Sequence, residues 1–319
     1  MFVGSCNGLF RALEKKTGKV RWTYDTGRDG HPVQFHTDPI VVDDLVITGS
    51  DLVHGEGAGV YAFDRATGKR RWKRPLGSGS GVSADVQRAG SRLYAIDFED
   101  SFYCLDSETG DVVWKFAMGT TPAEGERGHA PVVANGRVYV AGADGAVYAI
   151  DAGSGDVVWK HDLGAAVTTS IALGQAPGKG GVYAGGSNGH VYRLDPASGS
   201  VTADFSAGAE PQGRLALAED GLLVFFGEQK LACLDPALKS IRWSETASGP
   251  WTSSRPYVWR GAVVAGNERG QLFGLRLSDG ARLWSASFEG AVRGIGSDED
   301  GLYVGTIGGR VYAWTPGRP

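Results

Sequence analysis

The chain has 319 residues, a formal net charge of −4, 42% hydrophobic and 21% charged residues, 50 glycines, 9 tryptophans and 3 cysteines. This composition excludes a disordered chain, and the near-neutral charge without a basic block disfavours binding along a nucleic-acid backbone. No run of about 18 apolar residues offers a membrane-spanning helix, and the opening residues lack the basic start and apolar stretch of a leader peptide.

Abundant glycine and aromatic residues point to many short strands joined by tight turns. In chain order, one pattern recurs with a period of roughly 40 to 50 residues, the range of propeller blades. It begins as Glu14, Thr17, Gly18 and Trp22, and becomes Asp64, Thr67, Gly68 and Trp72. It returns as Asp106, Thr109, Gly110 and Trp114, and again as Asp151, Ser154, Gly155 and Trp159. Later copies decay: Asp195, Ser198 and Gly199 are followed by Ala203 in place of tryptophan, Asp235 and Trp243 lack the glycine, and Arg276, Gly280 and Trp284 form the seventh. The eighth is entered at Val311 to Trp314, giving units at about 1–27, 28–77, 78–121, 122–164, 165–208, 209–249, 250–290 and 291–319 within a single domain.

Each full unit predicts four antiparallel strands, A to D. In the fourth they span Ala130 to Ala134, Arg137 to Ala141, Ala146 to Ile150 and Val157 to His161, separated by Asn135-Gly136, Asp144-Gly145 and Ser154-Gly155. Those dipeptides suit turns that need positive φ. The Asp of the pattern is expected to cap the C–D turn, the glycine to take the left-handed conformation, and the tryptophan to pack between blades. Two residues before each Asp position stands a small residue, Ala12, Ala62, Cys104, Ala149, Cys233, Gly274 or Ala313, with Arg193 as the exception. Cys104 and Cys233 are therefore small-residue substitutes in different blades. Cys6, Cys104 and Cys233 lie far apart, without the spacing of a zinc ribbon or a disulfide framework. The predicted fold is all-β, an eight-bladed β-propeller of four-stranded antiparallel blades with the first and last blades incomplete in this chain; a seven-bladed ring is the alternative.

The run Ala62-x-Asp64-x-x-Thr67-Gly68-x-x-x-Trp72 resembles the tryptophan-docking motif of the PQQ-like (pyrroloquinoline quinone) repeat propeller family, and the resemblance covers essentially the whole chain. It implies a bacterial repeat protein with docking residues Trp22, Trp72, Trp114, Trp159, Trp243 and Trp284; it leaves the compartment unassigned, with an extracytoplasmic (periplasmic, secreted or lipoprotein) location expected if a segment precedes Met1. The strand count places strand D of the last unit and strand A of the first immediately upstream of Met1. An upstream segment of roughly 25 residues, the size of two strands at the repeat period, is therefore expected to close the ring and to carry any export signal.

In propellers the A strands line the channel, and the D–A and B–C loops share one face. That face receives Gln34 to Asp38, Ser83 to Asp85, Arg127 to His129, Thr168 to Ser170, Gln212 to Arg214, Ser253 to Arg255, and Arg293. Arg127, Arg214, Arg255 and Arg293, with His36 and His129, form a candidate anion funnel, because guanidinium groups bind carboxylate or phosphate at two points. The alternative is ion pairing with Asp38, Asp85, Glu126 and Glu210. Trp251, just before Arg255, is either a stacking face at the channel mouth or an interblade plug. No metal is expected: His31, His36, His54, Asp51 and Glu56 share the face without short ligand spacing.

Family resemblance raises quinone-dependent dehydrogenation, yet the adjacent cysteines that such enzymes use are absent from this chain, and neither PQQ nor calcium is expected. No GxSxG occurs, and no histidine has a nearby motif cysteine or serine. The sequence therefore predicts a non-catalytic, monomeric binding or scaffold module for a protein, peptide or glycan. A small-anion or sugar-acid sensor using the arginine funnel is the alternative.

Overall fold

The computed structural model describes residues 1–30, 32–52, 57–82, 84–118, 130–174, 180–219, 221–251 and 256–315. Among them are 31 β-strands and one 3-10 turn, Thr26–Asp29, arranged as the antiparallel blades of an eight-bladed β-propeller. Contacts divide the chain into two compact units, Met1–Gly164 with blades 1 to 4 and Ala165–Pro319 with blades 5 to 8.

The fourth blade shows why this sequence makes sheets. Its strands span Val132–Ala134, Arg137–Ala141, Ala146–Asp151 and Val157–Asp162, and each hydrogen-bonds to the next in chain order. The two middle strands are buried on both faces and rich in Val, Tyr and Ala, while the fourth alternates toward solvent. Between strands A and B, Asn135 and Gly136 both take positive φ (53° and 72°), as a two-residue hairpin turn requires. The first sheet holds strands Phe2–Gly4, Leu9–Leu13 and Val20–Asp25, and the last holds Val292–Ser297, Leu302–Thr306 and Arg310–Trp314. In the fifth unit the inner segment is split: Thr169–Ser170 pairs in parallel with Gly213 and Arg214 of the sixth blade, while Ala172–Gly174 stays in its own sheet.

The repeated pattern has a definite mechanical sense. Asp64 accepts hydrogen bonds from the amides of Ala66 (3.1 Å) and Thr67 (2.8 Å) and from the Thr67 hydroxyl (2.8 Å). The Thr67 hydrogen bonds hold the exposed carboxyl below its ordinary range, and the amides of Ser154 and Gly153 do the same for Asp151. Trp22 then donates to the Arg65 carbonyl of the next blade (3.1 Å), and its ring covers Gly68, where a β-carbon would lie 2.5 Å away. Trp72 over Gly110, Trp114 over Gly155 and Trp243 over Gly280 repeat this contact, each with its indole N–H on a carbonyl of the following blade. Removing a buried indole of this kind costs about 3–5 kcal/mol.

The strand register explains the small residues. Ala12, Ala62, Cys104, Ala149, Cys233 and Gly274 lie directly opposite Trp22, Trp72, Trp114, Trp159, Trp243 and Trp284, each just before a bulge. The fifth blade exchanges the sizes: Arg193 faces Ala203 across the strands, and the arginine side chain lies over Gly181 and donates through Nε to the Gly180 carbonyl (3.0 Å). The two irregularities in the fifth copy thus fall at one cross-strand pair.

Candidate functional site

On the face formed by the B–C loops and the entries to strand A, blades 1 and 2 bring three reactive side chains together. The B–C loop of blade 1, Ser5 to Gly8, is held by the Ser5 hydroxyl, which donates to the Leu9 carbonyl (2.8 Å). The Ser5 carbonyl accepts the Phe35 amide of blade 2 (3.3 Å), stitching that loop to the next strand entry. Phe35 is buried against Phe10 and Tyr61, which fixes its neighbour His36 at the loop. Gln34 and Asp51 exchange backbone hydrogen bonds of 2.8 and 2.9 Å, so Asp51 stands beside the same entry. His36 Nδ1 lies 2.9 Å from each Asp51 carboxylate oxygen, and Nε2 lies 3.1 Å from Cys6 Sγ. Exposure rises along this line: the Asp51 side chain is 6% exposed, that of His36 27%, and Cys6 is an exposed free thiol.

The electrostatics follow from the order of the groups. An ionised carboxylate only accepts, so Nδ1 of the neutral imidazole carries the proton and Nε2 presents its lone pair to the thiol. The long connection before His36 is anchored by Thr26, whose hydroxyl donates to the Gly8 carbonyl (2.9 Å) and accepts the Val33 amide (3.1 Å). Asp29 on the same connection takes the Tyr24 hydroxyl on both oxygens and pairs with Arg70. Burial, with the Asp29 hydrogen bond added, pushes Tyr24 up to about 12.

Asp51 faces His36, while the preceding residue of the same blade caps the B–C loop. Ser50 Oγ donates to the Gly59 carbonyl (2.9 Å) and accepts the Gly59 amide (3.0 Å). In blade 3 the register equivalent of Ser50 is Asp97, whose carboxylate is consumed by its own turn: it accepts from Glu99 and Ser101 amides (2.8 Å each) and from the Tyr103 hydroxyl (2.9 Å). Burial raises the Asp97 carboxyl above its usual range. Asn267 plays the same turn role in blade 7, accepting from Arg269 and Gln271 amides.

The other predicted residues fall as follows. Asp85, 5% exposed, accepts the Asp38 amide at 2.8 Å and braces the entry to blade 2. Arg214 lies at the parallel bridge to Ser170. Arg293 forms a two-point ion pair with Glu268 (2.6 and 3.0 Å), an acid outside the expected set. Trp251 is 7% exposed, packed between Phe225 and Phe273, with its indole donating to the Gln229 carbonyl (2.7 Å); this is the interblade-plug geometry. Arg127, His129, Arg255, His31, His54 and Glu56 lie outside the described residues. Among the described residues no group of His, Cys, Asp and Glu is arranged to hold a metal ion, and no helix is long and apolar enough to cross a membrane.

Sequence reasoning missed the Cys6 contact. No histidine has a nearby motif cysteine or serine along the chain, and Cys6 and His36 meet only in the fold, because the 30 positions that separate them are the path from one blade's B–C loop to the next blade's strand entry. The available signal was the repeat itself: aligned by register, Cys6 occupies in blade 1 the place of Asp51 in blade 2.

The comparisons with known proteins bear on the frame that carries this corner. A structure of BamB from Moraxella catarrhalis superposes with a TM-score of 0.78 at 20% identity, covering 99% of this chain and 91% of that one. Tetrathionate hydrolase of Acidithiobacillus ferrooxidans is 27% identical over 136 residues, 41% of this chain and 24% of that protein. Outer membrane protein assembly factor BamB of Legionella pneumophila is 29% identical over 121 residues, 36% of this chain and 29% of its own length. The chain thus matches under a third of the length of either curated relative. The PQQ-like repeat family model described as "Outer membrane protein assembly factor BamB" matches residues 1–75, 56–214 and 187–316, and the chain belongs to that family.

Proposed function

We propose that this propeller is a non-catalytic binding or scaffold module that holds a protein or peptide partner across its B–C and D–A loop face, outside the cytoplasm. The observation that carries the reading is the family match along nearly the whole chain, to a family described as an outer membrane protein assembly factor, the name also borne by the Legionella pneumophila relative. Rigid blades with variable loops suit this role, since the frame fixes the loops and the loops choose the partner. The two-point pairing of Arg293 with Glu268 favours a scaffold over the anion-sensor alternative, because that guanidinium already has a carboxylate. A glycan partner is the other class compatible with such a face.

Photo-crosslinkers placed at Asn7, Gln212 and Glu268 on the loop face, and at Lys69, Asp156 and Asp279 at the opposite C–D turns, test the reading in the cell envelope of the source organism. The expected result is one defined adduct from the loop-face positions, competed by unlabelled protein. Equal capture from both ends, or none from the loop face, overturns it.

A further inference from the structure

We propose that Cys6 is an activated thiol that undergoes exchange with a disulfide, with His36 as its proton acceptor and Asp51 as the residue that positions His36. The site goes beyond the scaffold reading and does not depend on it. Three observations on separate segments support it. Cys6 is exposed and free, whereas Cys104 and Cys233 are buried, so the chain offers one accessible thiol among its three. Its sulfur is 3.1 Å from His36 Nε2, within reach for proton transfer. His36 is in turn held at 2.9 Å through Nδ1 by a carboxylate that is itself almost fully buried, so the ring is fixed in orientation and tautomer.

This order of nucleophile, base and orienting acid is the general arrangement for raising the reactivity of a thiol. An unassisted thiol is only a few per cent ionised at neutral pH, and the thiolate is the attacking species. In the step proposed, the Cys6 proton passes to His36 Nε2 while Sγ bonds to one sulfur of the disulfide. The substrate S–S bond breaks, its electron pair leaves on the second sulfur, and that thiolate takes the proton back from His36. A thiol and a disulfide become a mixed disulfide and a thiol, with no further oxidant required. Exchange needs only an in-line approach to an exposed sulfur and a proton acceptor, and these are the groups the corner supplies. The disulfide is either a low-molecular-weight one or one carried on a polypeptide, and both present the same bond to Sγ.

The test uses the full chain with oxidised glutathione and, separately, with a disulfide-linked dimer of a short peptide, reading adducts by mass spectrometry of proteolytic fragments. The expected adduct is on Cys6 alone, absent from Cys6→Ser, and formed at least about tenfold faster than on a synthetic peptide of residues 1–13, in keeping with the small ionised fraction of a free thiol. His36→Gln and Asp51→Asn are expected to lose most of that advantage with unchanged thermal unfolding, and added imidazole to restore rate in His36→Gly, which a merely structural role would not allow. Reaction with glutathione alone identifies a small disulfide as the substrate source; faster reaction with the peptide dimer identifies a polypeptide one. Rates equal in wild type and both variants overturn the proposal. Should His36→Gln unfold early, the ratio of wild type to peptide decides alone, and a ratio near one overturns it.

Discussion

Two corners of this molecule share a backbone plan and differ in chemistry. In blades 1 and 2, the Ser5 carbonyl accepts the Phe35 amide, and Asp51 donates its amide to Gln34. In blades 7 and 8, the Asn267 carbonyl accepts the Val292 amide (3.2 Å), and Ile307 donates its amide to Ala291 (2.9 Å). By register, Cys6 corresponds to Glu268, His36 to Arg293 and Asp51 to Ile307. The first corner holds a thiol, an imidazole and a carboxylate in line, able to pass a proton. The second holds a carboxylate and a guanidinium that satisfy each other, with the third place taken by an exposed isoleucine. The repeat therefore supplies position, and the chemical groups at each corner are set by three side chains.

The largest effect comes from breaking the frame beneath the first corner. Gly68 has φ of 73°, and any β-carbon there meets Trp22 at 2.5 Å, so Gly68→Val combines backbone strain with a clash and is expected to cost about 3 kcal/mol or more. Gly18 has nearly the same φ, 70°, with nothing within 4 Å, and Gly18→Ala is expected to cost only about 1 kcal/mol. Denaturant midpoints measure both, and equal costs would show that the tryptophan contact carries no weight.

Next in size is a transplant between corners. Glu268→Cys with Arg293→His builds a thiol and a base without the third group; adding Ile307→Asp supplies it. The triple variant is expected to react with oxidised glutathione about tenfold faster than the double, equivalent to about 1.4 kcal/mol in the barrier. No gain from Ile307→Asp would mean that the carboxylate at the first corner is ornamental to reactivity.

How much of this was readable in the sequence differs between frame and site for a physical reason. Strands, turns and interblade tryptophans are set by residues within a few positions of each other, repeated at a constant period, so Asp64, Gly68 and Trp72 announce their own roles. The Arg193 and Ala203 anomalies were both visible, but that they are cross-strand partners needs the register that sets them face to face. Cys6, His36 and Asp51 are linked by no local spacing, since the corner is assembled from two blades. Asp51 also reads like the turn-capping Asp97 until the Ser50 hydroxyl is seen to cap its loop instead. Arg293 was readable as a cation, but its partner Glu268 belongs to the preceding blade.

Acid sensitivity sharpens the same distinction between frame and corner. Hydrogen bonds in the C–D turns hold Asp64 and Asp151 below the ordinary carboxylate range, so the unfolded chain takes up protons first as pH falls. Their contribution is complete above the unfolded carboxylate value and is lost as pH drops through the depressed folded values. Asp64→Asn with Asp151→Asn is expected to flatten the acid limb of the stability curve. Asp97, raised by burial, has the opposite sign, contributing fully below the unfolded value and losing that contribution as pH rises through the folded one.

The smallest expected effect tests whether the second corner is as inert as its geometry suggests. Arg293 and Glu268 are 42% and 36% exposed, so water and salt screen their attraction, and holding two long side chains in register offsets part of the gain. Arg293→Ala is therefore expected to change stability by no more than about 1 kcal/mol. The measurement is denaturant unfolding at low and high salt, with Glu268→Ala and the double variant completing the cycle. A coupling near zero would leave Arg293 available to an incoming acid on the loop face. A salt-insensitive coupling of several kcal/mol would instead make the pair a fixed strut, and the two corners would then differ in rigidity as well as in chemistry.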